Sequence, residues 1–441
     1  MASAPVTAPP RASLHPFVNA LLRFVLFYLF LSSWPWVDEL IVNPAKPFRF
    51  VFDATFGSLA RWTGAHIFHI PGTLARNSVL DTRYTYLVLL VVLIASIVLT
   101  AVWTLLDRSS RSTHTAYALM RVWVRYTLAY MMLIYAMYKV FPVQFPPVSL
   151  RRLTESYGDS APAALLSAFI GYSRTMSLLS GWAEAIGAVL LLFRRTAPMG
   201  AILTTVMMAN VALMDFCYDI PVKMMAAHFL IMSVFLLAHD TERLLRVVAL
   251  NKPAPPADLN DLKGLRSLPI LSRNPRLVRF MPVLKALAVL YVIVPVTVRT
   301  ALGSHQQVID RNDIPLRGIY AVTRYTVNGV DQPLLISQPR LWRYVIADSH
   351  YTTIIEFMDD TIVEYPSTFD KATSQLHLRK TGSTDTVDLV LTPPTAQQPQ
   401  FSIAGQIGQN QVSAQLTPIP RESYTLVNRG FHWINETTFT R

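Results

Sequence analysis

Seven polar side chains interrupt otherwise apolar stretches of the chain: Lys139, Glu184, Asn210, Asp215, Asp219, Lys223 and His228. Glu184 lies in Gly181-Trp-Ala-Glu-Ala-Ile-Gly187, with no cation beside it in sequence. Asp215 and Asp219 belong to Asp215-Phe-Cys-Tyr-Asp219-Ile-Pro-Val-Lys223, and His228 follows five residues on. Lys139 leads into Pro142-Val-Gln-Phe-Pro-Pro147. In hydrocarbon a charged group costs ~2.5–3.5 kcal/mol on insertion scales, so each one needs a reason. A buried carboxylate can carry a proton, and carboxylates set among lysines can hold a ligand's polar head. Glu184 and His228 are the candidates for proton exchange. Lys139, Asn210, Asp215, Asp219 and Lys223 are the candidates for ligand binding. The structural alternative stays open: the same groups serve as hydrogen-bonding glue between helices, with the lysines snorkelling to the interface.

No residue set has metal-ligand spacing. His228 and His239 are eleven residues apart, ~16 Å along one helix, too far to share an ion. No second span offers histidines to complete haem ligation. Cys217 is the single cysteine, which leaves no disulfide framework, CxxC pair or iron–sulfur site within the chain. It is expected to be a packed thiol near the surface. Gly181, Gly187 and Gly200 are expected to mark close helix packing through small residues.

These groups need helices to position them, and the composition supplies apolar ones. Only 15% of the 441 residues are charged and 52% are hydrophobic, whereas a soluble chain carries roughly a quarter charged residues. The apolar excess fills residues 17–302 and fades beyond. Residues 304–441 hold 11 Lys and Arg against 13 Asp and Glu, and the preceding residues 28 against 14. Basic charge confined to a membrane part and its loops fits anionic headgroups. No soluble basic face is left for nucleic acid.

About seven spans of roughly 20 residues are predicted: 17–37, 84–106, 121–140, 176–193, 197–216, 221–238 and 283–302. Residues 1–16 read as disordered, 38–83 as a surface-lying connection, and Ser160–Tyr172 as an interfacial helix too brief to cross. Arg108 and Arg111, Arg194 and Arg195, and the basic loop 241–282 all fall on one side when the spans are counted. Excess Lys and Arg marks that side as cytoplasmic. The N-terminus is then inside and the C-terminal part outside.

Beyond residue 302 the period changes to two. Short strands are predicted at 318–327, 342–346, 351–357, 361–365, 375–379, 386–391, 400–404, 412–416 and 424–427. Turn signals such as Asn328-Gly329 and Gly408-Gln409 separate them. This is the pattern of an all-β antiparallel barrel or sandwich, spanning 303–441. The closing Phe431-His-Trp-Ile434 is expected as its last strand, and Asn435-Glu-Thr437 matches a glycosylation sequon.

Residues about 119–240 resemble the DoxX-like family of four-helix membrane proteins. The resemblance rests on Tyr138-Lys139 before Pro142-Val-Gln-Phe145, and on Gly181-Trp-Ala-Glu184 with Gly187-Ala-Val-Leu-Leu-Leu-Phe-Arg194. It continues through Gly200-Ala, Asn210-Val and Asp219-Ile-Pro-Val-Lys223. The flanking spans and the β-rich tail depart from the compact four-helix member. The resemblance implies a bacterial cytoplasmic (inner) membrane location, quinone as cofactor, and a redox or membrane-protein partner, because some relatives are subunits of quinone-linked oxidoreductases.

Two readings follow. In one, the chain is a quinone-associated redox protein or subunit whose outer-leaflet cluster binds the headgroup. In the other, it is a non-catalytic protein that binds lipid or a partner through an extracytoplasmic β domain. The sequence carries no signal for oligomeric state.

Overall fold

The computed structural model describes the chain except residues 1–14, 41–50, 72–73, 75–79, 108–109, 255–274, 313, 315–316, 371, 380–385, 393–399, 431 and 435–441. It also leaves out the side chains of 35–40, 110–111, 275–282, 284–285, 288, 292, 312 and 386. The expected disorder up to residue 14, most of the basic loop, Arg108 and the sequon fall outside the described residues. The rest forms two compact units, Met1–Val140 with Leu178–Arg299 and Phe141–Ser177 with Thr300–Arg441. The break expected at 302/303 is therefore incomplete, because residues 141–177 group with the β-rich tail.

The first unit is helical. Its elements are α1 (Pro16–Leu40), a π-helical turn (Asp53–Gly57) leading into α2 (Ser58–His66), α3 (Arg83–Leu106), and α4 (Ser110–Val140). After the 141–177 segment, which contributes α5 (Leu150–Thr154) and α6 (Pro162–Tyr172), come α7 (Arg174–Leu192), α8 (Ala197–Cys217), α9 (Lys223–Ala238) and α10 (Thr241–Leu244). The 38-residue α11 (Pro275–Asn312) leads to the C-terminal strands. Among the described residues four helices are long and apolar enough to cross a membrane: α1 over Pro16–Trp34, α3, α7 and α8. A fifth arises if α9 and Thr241–Ala249, bent by 70°, count as one span. The chain is a multi-pass membrane protein.

Several polar residues inside these helices find partners within the helical unit. In α3, the Ser96 and Thr100 hydroxyls donate to the Val92 and Ser96 carbonyls, each at 2.7 Å, a bond that competes with no partner in a lipid setting. Arg23, which breaks the apolar run of α1, is fully buried. Its Nε donates to Thr113 Oγ1 at 2.9 Å and its Nη1 to the Asp107 carbonyl at 2.6 Å, with the guanidinium 4.6 Å from the Trp103 ring centre. A cation at the C-terminal carbonyls of α3 meets the negative end of that helix.

The tail is a closed, eight-stranded antiparallel β-barrel. Its strands are β1 (Gly318–Val327), β3 (Trp342–Ser349), β4 (Thr352–Phe357), β5 (Ile362–Asp370), β6 (Gln375–Arg379), β7 (Thr386–Thr392), β8 (Phe401–Ile407) and β9 (Asn410–Ile419), with a short ninth strand, β2 (Val330–Gln332), outside the closed ring. From β3 to β9 each strand pairs with the next, and β1 closes the barrel by pairing with β9 along its length and with β3 at its start. The small β2 folds back on the end of β1 through Asn328-Gly329, both at positive φ (51° and 79°), as a two-residue primed turn requires. In β9 the alternation is plain: Val412, Ala414 and Leu416 point inward and are buried, one face of a period-two strand. Trp342 packs in this core, its ring edge-on to Tyr325 with centres 5.6 Å apart. One end of the barrel keeps a cavity of about 50 Å³ beside Tyr320, Phe369 and Phe401, far below the several hundred Å³ of a small-molecule pocket. Among the described residues, buried apolar side chains such as Val345, Ile355, Leu389 and Ile403 form its core.

Two expected strands are not strands. Residues 424–427 enter a helical turn (Thr425–Asn428), and His432–Ile434 lie outside the sheet, because β9 already closes the barrel onto β1. The segment 141–177 joins the barrel through α5. Leu150 packs with Ile319, Ile346 and Ile354, its amide donates to Asp348 Oδ2 at 2.9 Å, and Arg151 pairs with Glu364 at 2.7 Å.

Candidate functional site

The predicted residues divide into a buried group, a surface pair and two that stand apart. Lys139 lies in the last turn of α4, where a cation suits the helix's negative end. Glu184 projects from the middle of α7. The Lys139 ammonium donates to Glu184 Oε1, and both side chains are almost wholly buried, at 4% and 1% exposure.

A glycine permits that pairing. A Cβ on Gly181, one turn before Glu184, would stand 2.9 Å from the Ala136 carbonyl oxygen and 3.0 Å from Lys139 Cβ. Only the bare backbone lets α7 approach α4 this closely. Further along, α7 also packs closely on α8, where a Cβ at Gly200 would reach Leu191 N at 2.7 Å.

Asp215, near the end of α8, is also buried. Lys139, Asp81 and Lys223 are the charges that act on it, so Lys139 serves both buried carboxylates. Each carboxylate keeps one oxygen, Glu184 Oε2 and Asp215 Oδ2, that is buried with no hydrogen-bond partner among the described residues. An unsatisfied buried acceptor costs about 1–3 kcal/mol, more when charged, unless a donor arrives. Two such acceptors around one lysine make a site that lacks donors.

The other candidates fall elsewhere. Asp219 is exposed, at φ 53°, and pairs with Lys223 Nζ at 2.6 Å in the turn between α8 and α9. This is a rim contact. Asn210 is exposed on α8, about 140° round the helix from Asp215, and does not join the buried group. The two ring nitrogens of His228 are occupied within the protein. Nδ1 lies 2.6 Å from the Met224 carbonyl, so it carries the proton, and Nε2 accepts from Tyr28 Oη at 2.8 Å. Cys217 is exposed.

Sequence reasoning missed two participants. Asp81 receives the Lys223 amide at 2.7 Å and the Met224 amide at 3.1 Å, a carboxylate seated on the N-terminus of α9. It lay in a segment read as a surface connection, and no spacing links it to α9. Tyr28 stands in an apolar span and reads there as one more aromatic residue. Only the histidine's need for a partner pointed to it.

No family model matches the chain, and no solved structure matches it. A curated relative, YwoB of Bacillus subtilis (strain 168), is 31% identical over 123 residues, which make up 28% of the chain and 78% of that protein. The chain belongs to the YwoB family. YwoB is described as uncharacterized, so its name brings no activity to the buried lysine and carboxylates. Since the YwoB match covers about a quarter of the chain, much of the sequence lies outside the shared region.

Proposed function

We propose that this is a DoxX-like, quinone-associated protein or redox subunit of the bacterial cytoplasmic membrane, with its polar site at the outer leaflet. The observation that carries the reading is the pair of orphaned acceptors, Glu184 Oε2 and Asp215 Oδ2, around the buried Lys139. What they lack is a donor, and the hydroxyls of a quinol headgroup are donors of the right kind. A bound quinol supplies two electrons and two protons. Glu184 accepts a proton at Oε2, Asp215 orients the headgroup, and Lys139 stabilises the negative charge on both. His228, whose Nε2 lies 2.8 Å from Tyr28 Oη, would take the second proton through Tyr28. The electrons pass to a redox partner protein, since the chain carries no multi-cysteine centre of its own.

Titrating the detergent-purified protein with a short-chain quinol analogue tests the reading. Glu184→Gln keeps the shape and the acceptor facing Lys139 but removes the charge. It is expected to weaken binding about tenfold or more. Unchanged affinity with lowered thermal stability would favour structural glue and a lipid- or partner-binding role.

In the same reading the chain crosses seven times, through α1, α3, α4, α7, α8, α9 and α11, with the N-terminus inside and the barrel outside. The grouping of 141–177 with 300–441 in one compact unit supports this topology, because both segments must then lie on one side. Four crossings separate them, an even number. In a Cys217→Ser background, Tyr157→Cys and Ser337→Cys are expected to react with an impermeant maleimide on intact spheroplasts, and Lys252→Cys only after lysis. Labelling of Tyr157→Cys and Ser337→Cys from opposite sides would rule this topology out.

A further inference from the structure

We propose that an arginine-lined cleft of the second unit binds a phosphate group. The cleft has a volume of about 200 Å³ and is walled by Ser149, Arg311, Arg317, Asp348 and Arg421. The three arginines come from three separate places: the end of α11, the residue before β1, and the turn after β9. Three guanidinium charges therefore face one carboxylate, and that carboxylate is already engaged. Asp348 Oδ1 takes Arg317 Nε at 3.2 Å and Oδ2 takes the Leu150 amide at 2.9 Å. Arg317 so held keeps its two terminal nitrogens for a ligand. Arg421 reaches the Val148 carbonyl through one terminal nitrogen, at 3.5 Å, a long bond that leaves most of its fork unused. Arg311 makes no ion pair among the described residues. The nearby Asp310 does not line the cleft, and its carboxylate takes Gln306 Nε2 at 2.8 Å. Ser149 does not cap α5 with its side chain and adds a hydroxyl to the wall.

The excess of planar, forked donors selects the anion. Guanidinium groups bind carboxylate and phosphate in bidentate fashion. A planar carboxylate has two oxygens and suits one or two forks. A tetrahedral phosphate presents oxygens in several directions, as arginines arriving from three chain segments require. A cleft of this size also has room for atoms esterified to the phosphate. Arg311 lies nine residues, about 13 Å of helix, beyond Leu302, where the apolar stretch of α11 ends. A phospholipid headgroup and a soluble phosphate both answer this chemistry.

The test uses the full-length protein in mild detergent, stripped of lipid and titrated separately with dioleoyl phosphatidylglycerol and with inorganic phosphate. Binding is read from thermal unfolding and from native mass spectrometry. Arg311→Gln is the main variant because it breaks no ion pair among the described residues. It is expected to weaken the bound probe about tenfold or more while the ligand-free unfolding midpoint stays put. Arg421→Gln is the second variant, should the first fail to fold, and Arg151→Gln, outside the cleft, is expected to bind as the wild type does. A loss seen with phosphatidylglycerol alone identifies a lipid headgroup. A loss seen with inorganic phosphate as well identifies the free anion. Equal binding of both probes by wild type, Arg311→Gln and Arg421→Gln overturns the proposal.

Discussion

Replacing Lys139 with methionine is expected to destabilise the helical unit by about 3–5 kcal/mol, the usual loss when one partner of a buried ion pair is removed. Glu184 is as buried as its partner, at 1% side-chain exposure, and water has no ready path to replace the ammonium. The damage should be specific to the unpaired charge. A double variant, Lys139→Met with Glu184→Leu, removes both members of the pair and keeps apolar volume, so it is expected to recover part of the loss, the remainder belonging to Asp215, on which Lys139 also acts. Thermal unfolding of wild type, both single variants and the double variant in one detergent closes the cycle. A loss under about 1 kcal/mol for Lys139→Met would mean that the pair is not buried as described. A double variant no better than Lys139→Met would show that volume, not charge, sets the effect.

The second large effect belongs to the barrel. Trp342→Ala is expected to cost about 3–5 kcal/mol, as large-to-small core substitutions do. A domain has only about 5–15 kcal/mol in hand. Trp342 is 4% exposed, opens β3 opposite Phe357, and stacks edge-on against Tyr325 from β1. It therefore joins the strand that closes the barrel to the meander that follows. Its neighbours in that core, Val345, Ile355 and Leu389, are themselves buried, which limits how far they can collapse into the gap. The chain has two units, so unfolding need not be two-state, and the loss should appear in the barrel transition followed by near-ultraviolet circular dichroism. Trp342→Phe, which keeps an aromatic filler, is expected to lose much less. An unchanged barrel transition for Trp342→Ala would contradict the packed interior.

Much of this architecture is legible in the chain because it rests on local patterns. Twenty-four residues without an internal charge can only be an apolar helix, as α3 is. Period-two alternation with Asn328-Gly329 and Gly408-Gln409 at the turns specifies hairpins, and the register follows. What was not legible depends on residues far apart in sequence. Nothing in Leu150 announces that it packs on Ile319, Ile346 and Ile354, so the attachment of 141–177 to the barrel went unseen. Residues 424–427 have strand-like composition, yet β9 had already satisfied the open edge of β1, and a helical turn was left as the local choice.

The site divides along the same line. Lys139, Glu184 and Asp215 stood out because charge in an apolar helix is conspicuous; Lys139 pairs with Glu184 and its charge also acts on Asp215. Asn210 was conspicuous for the same reason, but its rotation about α8 sends it outward, and a hydrophobic background on all sides gave no clue to facing. Asp219 and Lys223 form the pair that their i, i+4 spacing allows, at the exposed rim. Asp81 and Tyr28 contribute through contacts of 142 and 200 residues' separation, which no local pattern encodes.

The central claim is that Glu184, Asp215 and Lys139 hold a hydrogen-bond-donating quinol headgroup. Mass spectrometry of small molecules that co-purify with the protein in mild detergent tests it most directly, with Glu184→Gln prepared in parallel. The account predicts a quinone or quinol retained by wild type and lost or strongly depleted in the variant. Phospholipid alone, in equal amounts in both preparations, would contradict it.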